Sequence, residues 1–442
     1  MNDILVRGAR LADGTTTDVL IDAGTIVELG GSLSAKATTV IDADGLIALP
    51  GLVDLHTHLR EPGFEQSETV LSGSRAAAIG GFTAVHAMAN TSPVSDTAGV
   101  VEQVQSLGEA AGYVTVRPVG AVTAGLAGER LAEIGAMARS RAGVRVFSDD
   151  GKCVSDALLM RRALEYVATF GGVVAQHAQE PRLTENAQMN EGTLSSTLGL
   201  AGWPAVAEEA IIARDVLLAQ HVGARLHICH LSTAGSVDVV RWAKARGIDV
   251  TAEVTPHHLL LTEQFARSYD ARFKVNPPLR RDEDVVALRE GLTDGTIDIV
   301  ATDHAPHPVE SKDREWDSAA FGMVGLESAL SVVQAAVVDS GALGWSDIAR
   351  VLSATPAEIG RLDGYSAGIA LGAPANLALY DPEASRVFDV DALRGKSANS
   401  PYLGRTLPGK VMATIHNGYP TVLEGELLAP EVVAHYAGAR HE

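Results

Sequence analysis

Eight apolar runs separated by amphipathic stretches constrain the fold of this chain more than any other feature. They are residues 51–59, 82–89, 114–121, 144–149, 173–178, 225–232, 249–258 and 298–307. The interleaved segments, such as 67–79, 156–170, 205–221 and 328–338, are rich in Ala, Leu and Val with polar residues at helical spacing. A strand followed by a helix, repeated at roughly thirty-residue intervals, is the pattern of βα units with parallel strands. Eight such units predict an α/β fold closed into a (β/α)8 TIM-type barrel. An open doubly wound sheet would want a glycine-rich phosphate loop after its first strand, and no GxGxxG or Walker pattern stands there.

The flanks have a different texture. The first fifty residues break into short strands at 4–6, 18–21, 25–29 and 39–41, punctuated by Asp-Gly, Ala-Gly and Gly-Gly turns. The C-terminal stretch repeats this at 376–380, 411–416 and 421–423, with an Asn417-Gly418 turn signal. The expected organisation is a small β-sandwich formed by both termini, residues 1–50 and 366–442, around a barrel at 51–365.

Composition removes several function classes. A formal net charge of −20 argues against a nucleic-acid surface, which needs clustered Lys and Arg. No uncharged apolar run approaches membrane-spanning length, and the N-terminus lacks the pattern of a secretory leader, so a cytoplasmic protein is expected. The two cysteines, Cys153 and Cys229, are too few for a disulfide framework and read as small reduced side chains.

The chemistry begins at the polar end of the first run, with His56-Thr57-His58. Alternate residues of a strand share a face, so the two imidazoles project together, a good start on a divalent-metal site. Asp150, His177, His230 and Asp303 stand at or just past the ends of runs four, five, six and eight. Active sites of (β/α)8 barrels collect at those ends. Four histidines and two aspartates exceed the needs of one four-coordinate ion and suit two neighbouring ions sharing a carboxylate. Asp150 is the candidate bridge, while Asp303 is placed to ligate one ion and handle protons.

The other histidines read differently. His227 has the opposite parity to His230 and is expected to be structural. His257 and His258 are adjacent and cannot both face a pocket. His304 has the opposite parity to Asp303 and is expected to support the ligands from behind. His86 is expected in the core, and His221, His416, His435 and His441 at the surface. Arg60, just beyond the paired histidines, is expected to bind an anion.

Several segments then carry a resemblance: Asp54-Leu-His56-Thr-His58-Leu-Arg-Glu-Pro-Gly63, Asn90-Thr-Ser-Pro93, Asp149-Asp-Gly151, His227-Ile-Cys-His-Leu-Ser232, Glu253-Val-Thr-Pro-His-His258, Asn276-Pro-Pro-Leu-Arg280 and Ala301-Thr-Asp-His-Ala-Pro-His307. As a set they resemble the dihydroorotases, and more narrowly the long bacterial type of the amidohydrolase superfamily, over essentially the whole chain. The resemblance implies reversible cyclisation of N-carbamoyl-L-aspartate to L-dihydroorotate, a step of pyrimidine synthesis. It implies two zinc ions per subunit, with His56, His58 and Asp303 on one, His177 and His230 on the other, and Asp150 bridging. Asp303 is also the implied proton shuttle. Many relatives bridge with a carboxylated lysine; this chain has Asp-Asp-Gly there, which leaves Lys152 a minor alternative.

On the substrate side the resemblance implies Arg60, Asn90 and Asn276, with His307 and the Phe321-Gly322 backbone lining the pocket. A guanidinium fork suits a carboxylate, and amides add directional hydrogen bonds. Two departures are visible. Ala89 and Ser92 replace the proline and arginine expected around Asn90, and Ala178-Gln-Glu180 follows His177 where a cysteine and an acidic residue are expected. The polar segment 307–322 is expected to order over the pocket. A small-molecule substrate and a homo-oligomer are expected, and association with aspartate transcarbamoylase is kept open. The competing readings are allantoinase or hydantoinase, whose substrates lack the ring carboxylate, and a catalytically silent scaffold, which would be expected to have lost ligands.

Overall fold

Each of the eight apolar runs contains a buried parallel strand in the computed structural model, which describes residues 2–365 and 367–433. The strands are Leu52–Thr57, Phe82–Ala87, Thr115–Pro118, Val146–Phe147, Val173–Gln176, Leu226–Ile228, Val250–Val254 and Ile299–Val300. The first three form one parallel sheet, and the other five form a second in chain order. Single parallel bridges, Gly120 to Phe147 and Thr57 to His304, link the two sheets at both edges. All eight strands are shorter than the apolar runs containing them. At their C-terminal ends the chain leaves the ladder while still buried, and the polar candidates of the sequence stand there.

Strand periodicity sorts the core into two faces. Leu55, Val146, Val173, Ala175, Ile299 and Ala301 meet in one buried cluster, to which different strands contribute. Their neighbours of opposite parity, Phe147, Val174 and Val300, belong instead to the larger cluster shared with helix residues such as Ala76, Val104, Leu164, Val216 and Val240. Short capping signals start and stop those helices. Thr69 accepts a hydrogen bond from the Ser72 amide at the head of Val70–Ile79, and Asp156 accepts from Leu159 at 2.7 Å at the head of Ala157–Ala168. Val206–Val222 ends on Gly223, whose φ of 72° is the left-handed conformation that glycine adopts without strain. The predicted helix at 328–338 is α-helical only over Ala329–Val333 and continues as a wide turn through Gln334–Val338.

Strands from both ends of the chain share one nine-stranded sheet, in which Ile47–Pro50 pairs antiparallel with Leu377–Phe388. Leu377–Phe388 and Arg405–His416 run well past the expected 376–380 and 411–416. Their outer halves carry Asp381, Glu383, Arg386 and Lys410, so no apolar alternation announced them; cross-strand pairing holds them. One surface assignment is overturned: His416 is buried, its ring edge-on to Tyr419 at 5.5 Å. Its strand ends inside the sheet, and the turn Asn417-Gly418 folds the next strand back over it. His221 is exposed as expected, whereas His435 and His441 lie outside the described residues. Among the described residues, no helix is long and apolar enough to cross a membrane.

Candidate metal centre and substrate pocket

Asp150 lies at the middle of the site. Its Oδ2 is 3.2 Å from the Nε2 atoms of both His56 and His58. Its Oδ1 is 3.1 Å from His177 Nδ1 and 3.3 Å from His230 Nε2. Asp303 Oδ1 joins the first pair, 3.1 Å from His58 Nε2 and 3.5 Å from His56 Nε2. All six side chains are buried. Strand parity explains the first pair; backbone turns explain much of the rest. His230 and Asp303 sit just past their strands with φ of 33° and 47°, a region that side-chain-bearing residues avoid. That turn aims each side chain across the strand ends.

These residues fit a metal on two grounds. Their donor atoms converge as two groups, His56, His58, Asp150 and Asp303, and Asp150, His177 and His230, each within 4.8 Å. His56 Nε2 is also buried without a hydrogen-bond partner among the described residues. The electrostatics agree. Burial opposes charge on Asp303, yet His56 and His58 hold its carboxyl at about 2. Burial also opposes charge on His56, but Asp150, Glu253 and Asp303 drive its pKa well above the ordinary imidazole value. His58 and His177 are raised as well, against burial, chiefly by hydrogen bonding to Asp150. Ionised carboxylates face imidazoles that take up protons, which is the charge balance a divalent cation would replace. Metal binding should therefore displace protons from groups titrating above about 6.5, so affinity rises with pH over that range, by roughly tenfold per unit for each proton displaced. Isothermal titration of the metal-free protein with Zn2+ at pH 6 and pH 8 checks this; equal affinities would contradict it.

An outer ring of polar groups fixes the imidazoles, and the sequence reading assigned it no role. Glu253 accepts from His56 Nδ1 at 2.6 Å, from His227 Nε2 at 3.0 Å and from the His230 amide at 3.2 Å. This leaves His56 Nε2 for the cluster. The signal was available: Glu253 is an acid inside a buried strand. Asp54, on the same face as His56, holds the Thr302 amide at 3.1 Å and so ties the first strand to the eighth. Burial lifts its carboxyl to about 6. Asp149 takes the amides of Val122 and Thr123, leaving its neighbour Asp150 to face inward. Gln179, one of the noted departures, accepts from His177 Nε2 at 2.8 Å and from Asn276 Nδ2 at 3.1 Å.

The remaining expected positions gather around this cluster. Asn90 differs from expectation in that its amide oxygen already accepts from His58 Nδ1 at 2.9 Å. Asn276 Oδ1 is buried without a partner among the described residues. Arg60, φ 63°, donates from Nε to the Pro306 carbonyl at 3.1 Å, and its Nη2 lies 3.4 Å from His307. Burial lowers its pKa only to about 10, so it remains a cation. His307 donates to the Phe321 carbonyl at 2.7 Å, and burial with the Arg60 charge holds it near 3, hence neutral. Gly322 is required by space: a Cβ there would sit 2.9 Å from His307 Nε2. Lys152 is exposed and outside the converging donors. His86 is a core residue on the Asp54 carbonyl at 3.2 Å, and His227 is held by Glu253 and Thr251. His304 supports the ligands through its backbone, whose carbonyl accepts from the His58 amide at 2.8 Å, while its side chain turns to the outer face, where Nδ1 accepts from the Gly325 amide at 3.2 Å. His257 and His258 are both buried. Burial lowers His257 to about 4, and His258 donates to the Pro277 carbonyl at 3.2 Å. Cys229 lies with His56 and Glu253, but burial pushes its thiol pKa up, which keeps it protonated.

Known proteins match nearly all of this chain. A family model described as dihydro-orotase-like matches residues 45–236. The protein named dihydroorotase in Leifsonia xyli subsp. xyli is 76% identical over 424 residues, covering 96% of this chain and 97% of that one. This chain belongs to the dihydroorotase family. Its relatives in that family include a dihydroorotase of Streptomyces coelicolor, 64% identical over 97% of this chain and all of that one. A Mycobacterium tuberculosis dihydroorotase is 53% identical over 96% of this chain and all of its own length. Among solved structures, an L-hydantoinase (dihydropyrimidinase) from Arthrobacter aurescens superposes with a TM-score of 0.86 at 25% identity, covering 97% of this chain and 98% of that one. The dihydroorotase family thus shares its α/β fold with cyclic-amide hydrolases.

Proposed function

We propose that this protein is a zinc-dependent dihydroorotase interconverting N-carbamoyl-L-aspartate and L-dihydroorotate. The observation that carries this reading is Asp150, one carboxylate with a histidine pair against each oxygen. Imidazole and carboxylate donors in this number favour two zinc ions per subunit, with Asp150 shared, His56, His58 and Asp303 on one side and His177 and His230 on the other. Zinc held there would supply Lewis-acid polarisation of a carbonyl and lower the pKa of water. The architecture proposed with it is a closed (β/α)8 barrel at 51–365, supported by the eight parallel strands and their bridges at both sheet edges. A sandwich of residues 1–50 and 366–442 completes it.

The protein's own residues then divide the work. In the hydrolytic direction Asp303 accepts a proton from water as its oxygen bonds to the ring carbonyl carbon, then delivers that proton to the ring nitrogen as the C–N bond breaks. In the cyclising direction the carbamoyl nitrogen bonds to the carbon of the side-chain carboxyl group, protonated from solvent, while Asp303 takes the nitrogen's proton and returns it to the hydroxyl that leaves as water. Arg60, still cationic, offers its fork to the ring carboxylate. The unpartnered Asn276 Oδ1 accepts a ring N–H. His307, Phe321 and Gly322 form the facing wall, and Asn90 holds His58 while presenting its amide to the pocket.

Arg60 is the feature that separates this reading from a hydantoinase or allantoinase, whose substrates carry no ring carboxylate. Zinc-loaded protein assayed side by side should turn over dihydroorotate in strong preference to hydantoin and allantoin. Elemental analysis of the same sample should give two zinc ions per chain. Preference for hydantoin would overturn the assignment; no metal and no turnover would favour a silent scaffold.

A further inference from the structure

The segment that carries the substrate wall is held by two buried lysines with no assigned role. Lys274 Nζ donates to three of its carbonyls, Trp316 at 2.5 Å, Asp317 at 3.2 Å and Ala319 at 2.7 Å. Lys312 Nζ donates to Ala320 and Gly322, each at 2.8 Å, and to the Lys274 carbonyl at 3.2 Å. That same Lys274 carbonyl accepts from the Gly322 amide at 2.9 Å. The Lys274 ammonium also lies 4.4 Å from the centre of the Phe321 ring. Lys274 is only 1% exposed and Lys312 only 7%. Trp316 is buried against Met189, Leu194 and Ala266, which anchors the middle of the segment.

The arrangement is costly. An ammonium has three hydrogens, and each of these six finds a neutral carbonyl; neither lysine makes an ion pair among the described residues. Burying a cation without a counter-ion is unfavourable. The cost shows in the pKa values: burial pulls Lys274 down to about 8, and burial with the neighbouring Lys274 charge pulls Lys312 to about 7. Two apolar side chains would close this space more cheaply, but they could not tie the backbone of 316–322 in one conformation. That backbone includes the Phe321 carbonyl gripped by His307 and the Gly322 position against which His307 is packed.

We infer that Lys274 and Lys312 are positioning residues that clamp the backbone of 316–322 into a substrate-binding wall. The inference rests on the dihydroorotase reading and deepens it. Neither lysine touches the metal ligands, so both act on substrate binding and leave the metal site alone. The segment 307–322 is accordingly a clamped wall, a different device from the closing cover expected from its charge.

Lys274→Met and Lys312→Met keep the volume and remove the donors. Each variant of the zinc-loaded protein should raise KM for dihydroorotate by about tenfold or more, the scale of lost charged hydrogen bonds. The value of kcat should change far less, and zinc content should not change. Amide exchange across 316–322 should accelerate while exchange in the strand Val173–Gln176 stays native. Where a Met variant does not fold, Lys274→Gln and Lys312→Gln, which keep an N–H donor, are measured instead and should show smaller changes in the same direction. A lower melting temperature with native KM and native exchange at 316–322 would make the lysines merely structural and overturn the clamp. Faster exchange at 316–322 in a protein whose wild type does not turn over dihydroorotate would keep the clamp and sink the substrate assignment.

Discussion

Replacing Asp303 by Asn should lower turnover of dihydroorotate by about 10²–10⁴-fold, the contribution of a positioned general acid–base group. The amide keeps the size of the side chain and an oxygen donor but cannot carry a proton between water and nitrogen. Five other donors remain, His56, His58, Asp150, His177 and His230. Zinc content should therefore stay close to that of the wild type. The carboxyl is held ionised at about 2, against burial, by His56 and His58, so it is available as a base throughout the neutral range. Steady-state rates in both directions and elemental analysis on one preparation provide the check. A variant with near-native rate would rule out the shuttle, and a variant that has also lost its zinc would show that Asp303 acts mainly as a ligand.

The second large effect is expected at His58. Its Nε2 faces both Asp150 and Asp303, and its Nδ1 is held by Asn90. His58→Ala removes a donor on the side of the site where three side chains meet Asp150. Metal affinity should fall by more than the roughly 10–100-fold that loss of an outer hydrogen-bond partner costs, and turnover should fall with it. His58 lies past the end of the strand Leu52–Thr57, outside the apolar clusters, so the fold should survive. Native circular dichroism with substoichiometric zinc is the expected result; native zinc content would exclude His58 from the site.

The strand-bearing runs and the identity of the six converging side chains were legible in the chain itself. Two local rules carried them: parity, which places His56 beside His58, and the rise of polar residues at the ends of apolar runs. The same rule explained why His227 and His304 turn away. It did not reach past the ladder. His230 and Asp303 enter the cluster through left-handed backbone, which no periodicity announces. His416 was misread because a polar residue at a strand end resembles a surface residue until the neighbouring strand is folded over it.

The supporting groups show the limit most clearly. Glu253 is 197 residues from His56, Asp54 is 248 from Thr302, and Lys274 is 42 to 45 from the carbonyls it holds. Each was present in the sequence as an acid or a lysine in an apolar setting, which signals a buried partner without saying which one. The sequence alone determined the strand order of chemistry, the residue types able to hold metal, and the family. Only the tertiary structure decided that Glu253 orients His56 and that two lysines brace the wall beside Arg60. The reason is physical: periodicity is a local property of the backbone, whereas hydrogen-bond partners are chosen by which strand ends and loops pack together.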